Sequence, residues 1–159
     1  MNAVFILIIT LFLLGCSTAY QSDGFTGGYI ETRLAPDIYE VTFNGNGYTS
    51  ARRTKDFALL RAAELCQKNG YKYFVVIGRE NSVSKQTYQT AGQTYTTYPA
   101  HVNGTYYGSS INVPGQTYEF EKPSSYMTIK MLKDKPVNVD VFFDAAYIIS
   151  SLKSQYNIE

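Results

Sequence analysis

Between residues 38 and 77 the hydrophobic period changes twice, and no other feature of the chain constrains its fold as much. Tyr39, Val41 and Phe43 alternate with Ile38, Glu40 and Thr42, which is the period of a strand with one buried face. Asn44-Gly45-Asn46-Gly47 ends that strand as a turn. Ala58, Leu59, Ala62, Ala63, Leu65 and Cys66 then recur at three- and four-residue spacings, predicting a helix over 55–69 with Thr54 as N-cap and Gly70 as a left-handed stop. The stripe is built largely of small residues, so the helix can approach a sheet closely, while Glu64 and Lys68 form a favourable i,i+4 pair on the exposed side. Residues 71–77 are a continuous aromatic and β-branched run, the pattern of a central strand. A strand, a helix and a strand so closely joined predict a right-handed βαβ unit.

The remainder extends this unit. Residues 82–118 hold a single charge, Lys85, and six tyrosines among Gly, Thr, Gln, Ser and Asn. They read as a long low-complexity excursion between strands, with 85–90 and 116–121 alternating well enough to pair as a hairpin. Residues 125–132 alternate again, with Met127, Ile129 and Met131 on one face, and give a third strand. Ala145, Ile148, Ile149 and Leu152 recur at helical spacing within 141–156, where Asp144 is a natural cap. The order βαββα predicts an α+β domain over 38–159, a small mixed sheet with two helices on one face.

Composition excludes one large class of function. With 14 basic and 13 acidic residues the net charge is +1, so there is no basic footprint for nucleic acid.

The N-terminus carries the most specific motif. Residues 3–14 are apolar apart from Thr10, and no charged side chain appears before Asp23. A bilayer-spanning helix needs about 20 apolar residues, so this run suits the apolar region of a signal peptide instead. Leu13-Leu14-Gly15-Cys16 resembles the lipobox of bacterial lipoproteins. That resemblance implies a signal peptide over 1–15, with Cys16 becoming the new N-terminus, carrying a diacylglycerol thioether and an amide-linked acyl chain. Such an anchor supplies more than the two signals that stable membrane attachment requires. The stretch before the apolar run, Met1-Asn2, departs from the pattern in having no basic side chain. Ser17 in place of Asp resembles the sorting signal for the outer membrane. Residues 16–37, rich in Ser, Thr and Gly, read as the lipidated N-terminus followed by a tether. A lipidated Cys16 leaves Cys66 without a partner, and a small buried apolar side chain is the expected role for it.

Few residues suggest chemistry. Gly45 and Gly47 at a strand-to-helix turn, followed by Arg52 and Arg53, could hold a small anion on backbone amides and basic side chains. The alternative is a tight turn with solvated arginines, since neither a Walker lysine pattern nor a dinucleotide fingerprint is present. The single histidine, His101, has no Cys or carboxylate at ligand spacing, so neither a metal site nor a cofactor is expected. Glu119 and Glu121 share a strand face and read as exposed acids. Tyrosine gives large contact area at low entropic cost, which makes Tyr95, Tyr98, Tyr106 and Tyr107 in the excursion, with Asn46 and Tyr48 at the turn, candidate partner contacts.

Gly27-Gly28-Tyr29, Leu34-Ala35-Pro36-Asp37, the stretch 43–50, Asp56-Phe57-Ala58-Leu59-Leu60-Arg61-Ala62-Ala63-Glu64-Leu65, Gly70-Tyr71-Lys72-Tyr73-Phe74, Lys135-Pro136 and Asp144-Ala145 together resemble a family of proteobacterial envelope lipoproteins. The layout is similar, more loosely, to the outer-membrane lipoprotein that senses envelope stress for the Rcs phosphorelay, although the paired disulfides of that sensor have no counterpart here. The resemblance implies a lipid anchor and an envelope location, and no activity. The expectation is a non-enzymatic lipoprotein, on the outer membrane facing the periplasm, whose domain binds or senses an envelope protein or glycan. The alternatives are a small-anion binder or enzyme at the glycine turn, and a purely structural lipoprotein.

Overall fold

The computed structural model describes residues 17–97, 109–137 and 139–159. These form seven strands and two helices: β1 (Gly28–Ala35), β2 (Ile38–Asn44), α1 (Ala51–Lys68), β3 (Tyr73–Gln89), β4 (Gln93–Thr97), β5 (Ser109–Val113), β6 (Thr117–Leu132), β7 (Phe143–Asp144) and α2 (Ala145–Tyr156). Two compact units result, one comprising the described residues up to Ser84 with Glu121–Glu159, the other Lys85–Phe120.

The first unit is α+β, with a five-stranded sheet in the order β1-β2-β6-β3-β7. The sheet expected to be mixed is antiparallel between neighbours. β2 and β3, the two strands flanking α1, do run parallel to each other, but β6 inserts between them. The central strand is therefore β6, and β3, expected in the centre, lies one place from the edge with Ile77 exposed.

The alternations predicted from sequence set the buried face. In the β2–β6 register Tyr39 lies opposite Ile129, Val41 opposite Met127 and Phe43 opposite Ser125, and all six side chains are buried. Ile38, Glu40 and Thr42 turn to the other face, where the Tyr126 hydroxyl donates to Glu40 Oε1 at 2.6 Å. Both helices contribute to the single core on the first face: Phe57, Ala58, Ala62, Ala63, Leu65 and Cys66 from α1, with Ala145, Ile148 and Ile149 from α2. Phe57 packs edge-on against Phe43 and Tyr156, each 5.0 Å away between ring centroids, joining sheet and both helices at one point.

The helix ends correct one expectation and bear out two. The N-cap of α1 lies four residues before the one expected at Thr54: it is Ser50, its side chain accepting from the Arg53 N–H at 3.2 Å, and Thr54 is buried one turn later, donating to the Ala51 carbonyl. Gly70 takes a left-handed φ of 77°, and Asp144 caps α2 by accepting from the Tyr147 N–H at 3.0 Å.

The region expected to be a tether is part of the fold. β1 pairs with β2 along its length, from Gly28 opposite Asn44 to Ala35 opposite Ile38. Phe57→Ala should remove about 3–5 kcal/mol of stability, because the fully buried ring holds three elements together and its cavity cannot collapse, an outcome that urea titration followed by circular dichroism would check.

The second unit, Lys85–Phe120, is built of strands alone among the described residues. Strands β3 and β6 continue into it, where the Thr90 N–H donates to the Gln116 carbonyl at 2.9 Å, within the stretches expected to pair. Beyond them β4 and β5 form an antiparallel ribbon with Tyr95 opposite Ile111 and Gln93 opposite Val113.

Candidate functional site

The glycine turn between β2 and α1 is the densest polar cluster in the first unit, and its partner is the N-terminal segment. Thr18, two residues after the predicted lipidation site, is fully buried. Its hydroxyl accepts from the Asn46 N–H at 2.9 Å and donates to the Thr26 carbonyl at 2.8 Å. Its backbone N–H donates to Thr49 Oγ1 at 2.9 Å. The Thr49 hydroxyl lies 2.9 Å from Asn46 Oδ1 and 3.0 Å from Thr18 Oγ1, and its one proton serves one of these at a time. Asn46 Oδ1 also accepts from the Tyr48 N–H at 3.0 Å, an Asx turn that holds the loop.

Two glycines make the approach possible. A Cβ on Gly27 would lie 2.3 Å from the Asn44 carbonyl oxygen, and its φ of 92° is one that side chains disfavour. A Cβ on Gly45 would lie 2.9 Å from Thr54 Cγ2 and 3.0 Å from the Pro123 carbonyl oxygen.

This geometry redirects the anion reading of Gly45, Gly47, Arg52 and Arg53. The amides of Gly45, Asn46, Tyr48 and Thr49 bond to Pro123, Thr18 and Asn46 within the protein. The Arg53 guanidinium carbon lies 4.9 Å from the Phe57 ring centroid and 5.2 Å from that of Tyr156, with its buried Nε lacking a hydrogen-bond partner. Arg52 is exposed beside Asp56, at 3.9 Å. Four amides of the turn are therefore engaged within the protein, with Arg53 laid against aromatic rings and Arg52 at the surface.

A second contact holds the same segment further along. The Tyr20 ring packs 5.4 Å from Phe57, and its hydroxyl donates to Glu64 Oε2 at 2.6 Å. Burial, and then the hydrogen bond to Glu64, raise the Tyr20 phenol well above its ordinary range. Arg61 bridges Glu31 of β1 at 2.5 Å and Glu64 at 3.0 Å, with its guanidinium 4.1 Å from the centre of the Tyr29 ring. Burial opposes the Arg61 charge, but the hydrogen bonds to Glu31 and Glu64 outweigh it and raise its pKa. Glu64, expected to pair with Lys68 on an open helix face, instead ties α1 to β1 and Tyr20.

Other predicted residues are placed as follows. Cys66 is buried and donates its S–H to the Tyr73 carbonyl at 3.2 Å. Burial pushes its thiol up to about 12, with the Asp144 charge adding to the shift. Tyr48 is 72% exposed and Tyr95 56% exposed. Glu119 and Glu121 are exposed. Cys16, Tyr98, His101, Tyr106 and Tyr107 lie outside the described residues. Among the described residues no group of His, Cys, Asp and Glu could hold a metal ion. The sequence reading missed Thr18, Tyr20, Thr49 and Arg61, whose roles depend on contacts with residues 28 to 44 positions away and leave no local periodicity.

Comparison with family models, with curated proteins and with solved structures finds no match, so the functional reading rests on the motifs and the geometry.

Thr18→Val keeps the shape of the side chain but leaves the Asn46 N–H and the Thr26 carbonyl without their partner. It should cost about 1–3 kcal/mol in chemical denaturation, while Thr18→Ser should stay near the parent. The Cys66 thiol should resist iodoacetamide in the native protein at pH about 8.5, where an ordinary thiol is half ionised, and react after denaturation. Rapid native labelling detected by mass spectrometry would contradict that burial.

Proposed function

We propose that the chain is a lipid-anchored protein of the bacterial envelope, held to the outer membrane through Cys16, whose second unit binds a protein partner. The observation that carries the binding reading is the sidedness of the β4–β5 ribbon. Tyr95 and Ile111 are directly opposite each other, as are Gln93 and Val113, so all four side chains share one face. On that face Tyr95 is 56%, Ile111 62% and Val113 47% exposed. The other face is polar, with the Thr94 hydroxyl donating to Asn112 Oδ1 at 2.7 Å.

A two-stranded ribbon is marginally stable alone, and exposed branched aliphatics beside a tyrosine gain most from burial against another apolar surface. Aromatic residues are also enriched in the cores of protein interfaces. Isoleucine and valine offer a glycan no hydrogen bonds and no ring to stack on, which favours a protein over peptidoglycan. The amides of Gly45, Asn46, Tyr48 and Thr49 bond within the protein, which weighs against the anion-binding alternative.

The test is photo-crosslinking in intact cells with a benzophenone amino acid replacing Tyr95. A defined protein adduct is expected, lost when Ile111→Asp and Val113→Asp are introduced together into a chain that still folds. Adducts with lipid or glycan alone, or a protein adduct indifferent to those aspartates, would refute the assignment.

A further inference from the structure

The β4–β5 ribbon is a sheet of only two strands, so each strand has one edge without a neighbour among the described residues. A two-stranded ribbon is marginal in water, and three or more strands with a hydrophobic face are what make such a sheet stable. Proteins ordinarily guard an open edge with charged side chains, a proline or a bulge. β5, Ser-Ser-Ile-Asn-Val, has none of these: its register with β4 is regular, and residues 86–118 contain no Lys, Arg, Asp or Glu. Its edge is open to another strand.

The strand that fits is given by the order of residues in β5 itself. In an antiparallel pair related by a two-fold axis, the residue on the axis faces its own copy and residues equally far on either side face each other, opposed side chains sharing one face of the sheet. An axis at Ile111 sets Ile111 against Ile111 of the second copy and Ser110 against Asn112. Ile111, 62% exposed, belongs to the apolar face beside Tyr95, whereas Asn112 belongs to the polar face, where its Oδ1 accepts from the Thr94 hydroxyl. Both faces therefore keep their character across the junction. Facing β-branched residues form a favourable cross-strand pair, and the like charges that a two-fold axis brings together in a charged segment are absent here. An axis at Asn112 would draw Pro114, which has no N–H to donate, into the pair.

We infer that two copies of the chain join β5 to β5, antiparallel and centred on Ile111, so that their ribbons form one four-stranded sheet. The face carrying Tyr95, Ile111 and Val113 becomes continuous across the two-fold axis and remains open, so the dimer doubles the surface assigned above to a protein partner. The pairing uses the edge of the ribbon and the partner its face, and the two are separable by experiment.

The test is cysteine cross-linking of the full-length protein in intact cells, with copper phenanthroline as oxidant and the parent chain, whose Cys66 is buried, as control. Directly opposed residues have Cα atoms ~4.5–5.5 Å apart, within disulfide range, so Ile111→Cys should give a covalent dimer. Tyr95→Cys, three strand spacings or ~14 Å from its counterpart, should not. Chains carrying Ser110→Cys and Asn112→Cys should link to each other when expressed together, and neither should link to itself, since its own copy lies ~8 Å away on the diagonal. No covalent dimer at 111 or in the mixed pair, or dimers formed as readily at 95 as at 111, overturns the pairing, and a benzophenone adduct to another protein at Tyr95 then shows that the binding reading survives without it. Covalent dimers at 111 with no such adduct uphold the pairing and refute the partner.

Discussion

The Thr18 hydroxyl, accepting from Asn46 and donating to Thr26, is the contact through which the N-terminal segment becomes part of the fold. Thr18 itself is fully buried, and a hydrogen-bonding group left unpaired there costs more than the net gain of an ordinary hydrogen bond. The contact determines the path of the chain from residue 18 to β1, and β1 in turn places Glu31 where Arg61 can bridge it to Glu64. Gly27 and Gly45 contribute by having no side chain where the backbones of the N-terminal segment, β2 and the β6 strand come closest.

The hydrophobic core sits beside this clasp. Phe57 touches Phe43 of β2, Tyr156 of α2 and Tyr20 of the N-terminal segment, so the same ring supports the sheet, the closing helix and that segment. Arg53 covers that cluster from outside, its charge met by the ring faces of Phe57 and Tyr156.

What the sequence made legible follows from periodicity. The alternation of Tyr39, Val41 and Phe43, that of Met127, Ile129 and Met131, and the stripe from Ala58 to Cys66 gave the two main strands and the long helix with their buried faces. β1 was hidden because Glu31, a charged residue, occupies a position on the helix side and is tolerated only by its pairing with Arg61. The outer parts of β3 and β6 showed as alternating stretches at 85–90 and 116–121, but their continuity with the inner strands was hidden, because beyond the first unit both faces are exposed and the apolar signal fades. Ser50 and Thr54 are both competent caps four residues apart, and only the burial of Thr54 decides between them. At the turn, the glycines were read as a possible anion site or a tight turn, and an anion and a chain segment place the same demand on the backbone. The identity of the occupant is a long-range fact, carried by a threonine 28 residues before Asn46.

The glycine turn is a dock for the N-terminal segment around Thr18, and amide hydrogen exchange at Asn46 in the full-length protein tests this most directly. Although Asn46 lies outside regular secondary structure, its N–H should exchange about as slowly as the amides of β2, and Thr18→Val should abolish that protection. Exchange at the rate of an open loop in the parent protein, or protection that survives loss of the Thr18 hydroxyl, would contradict it.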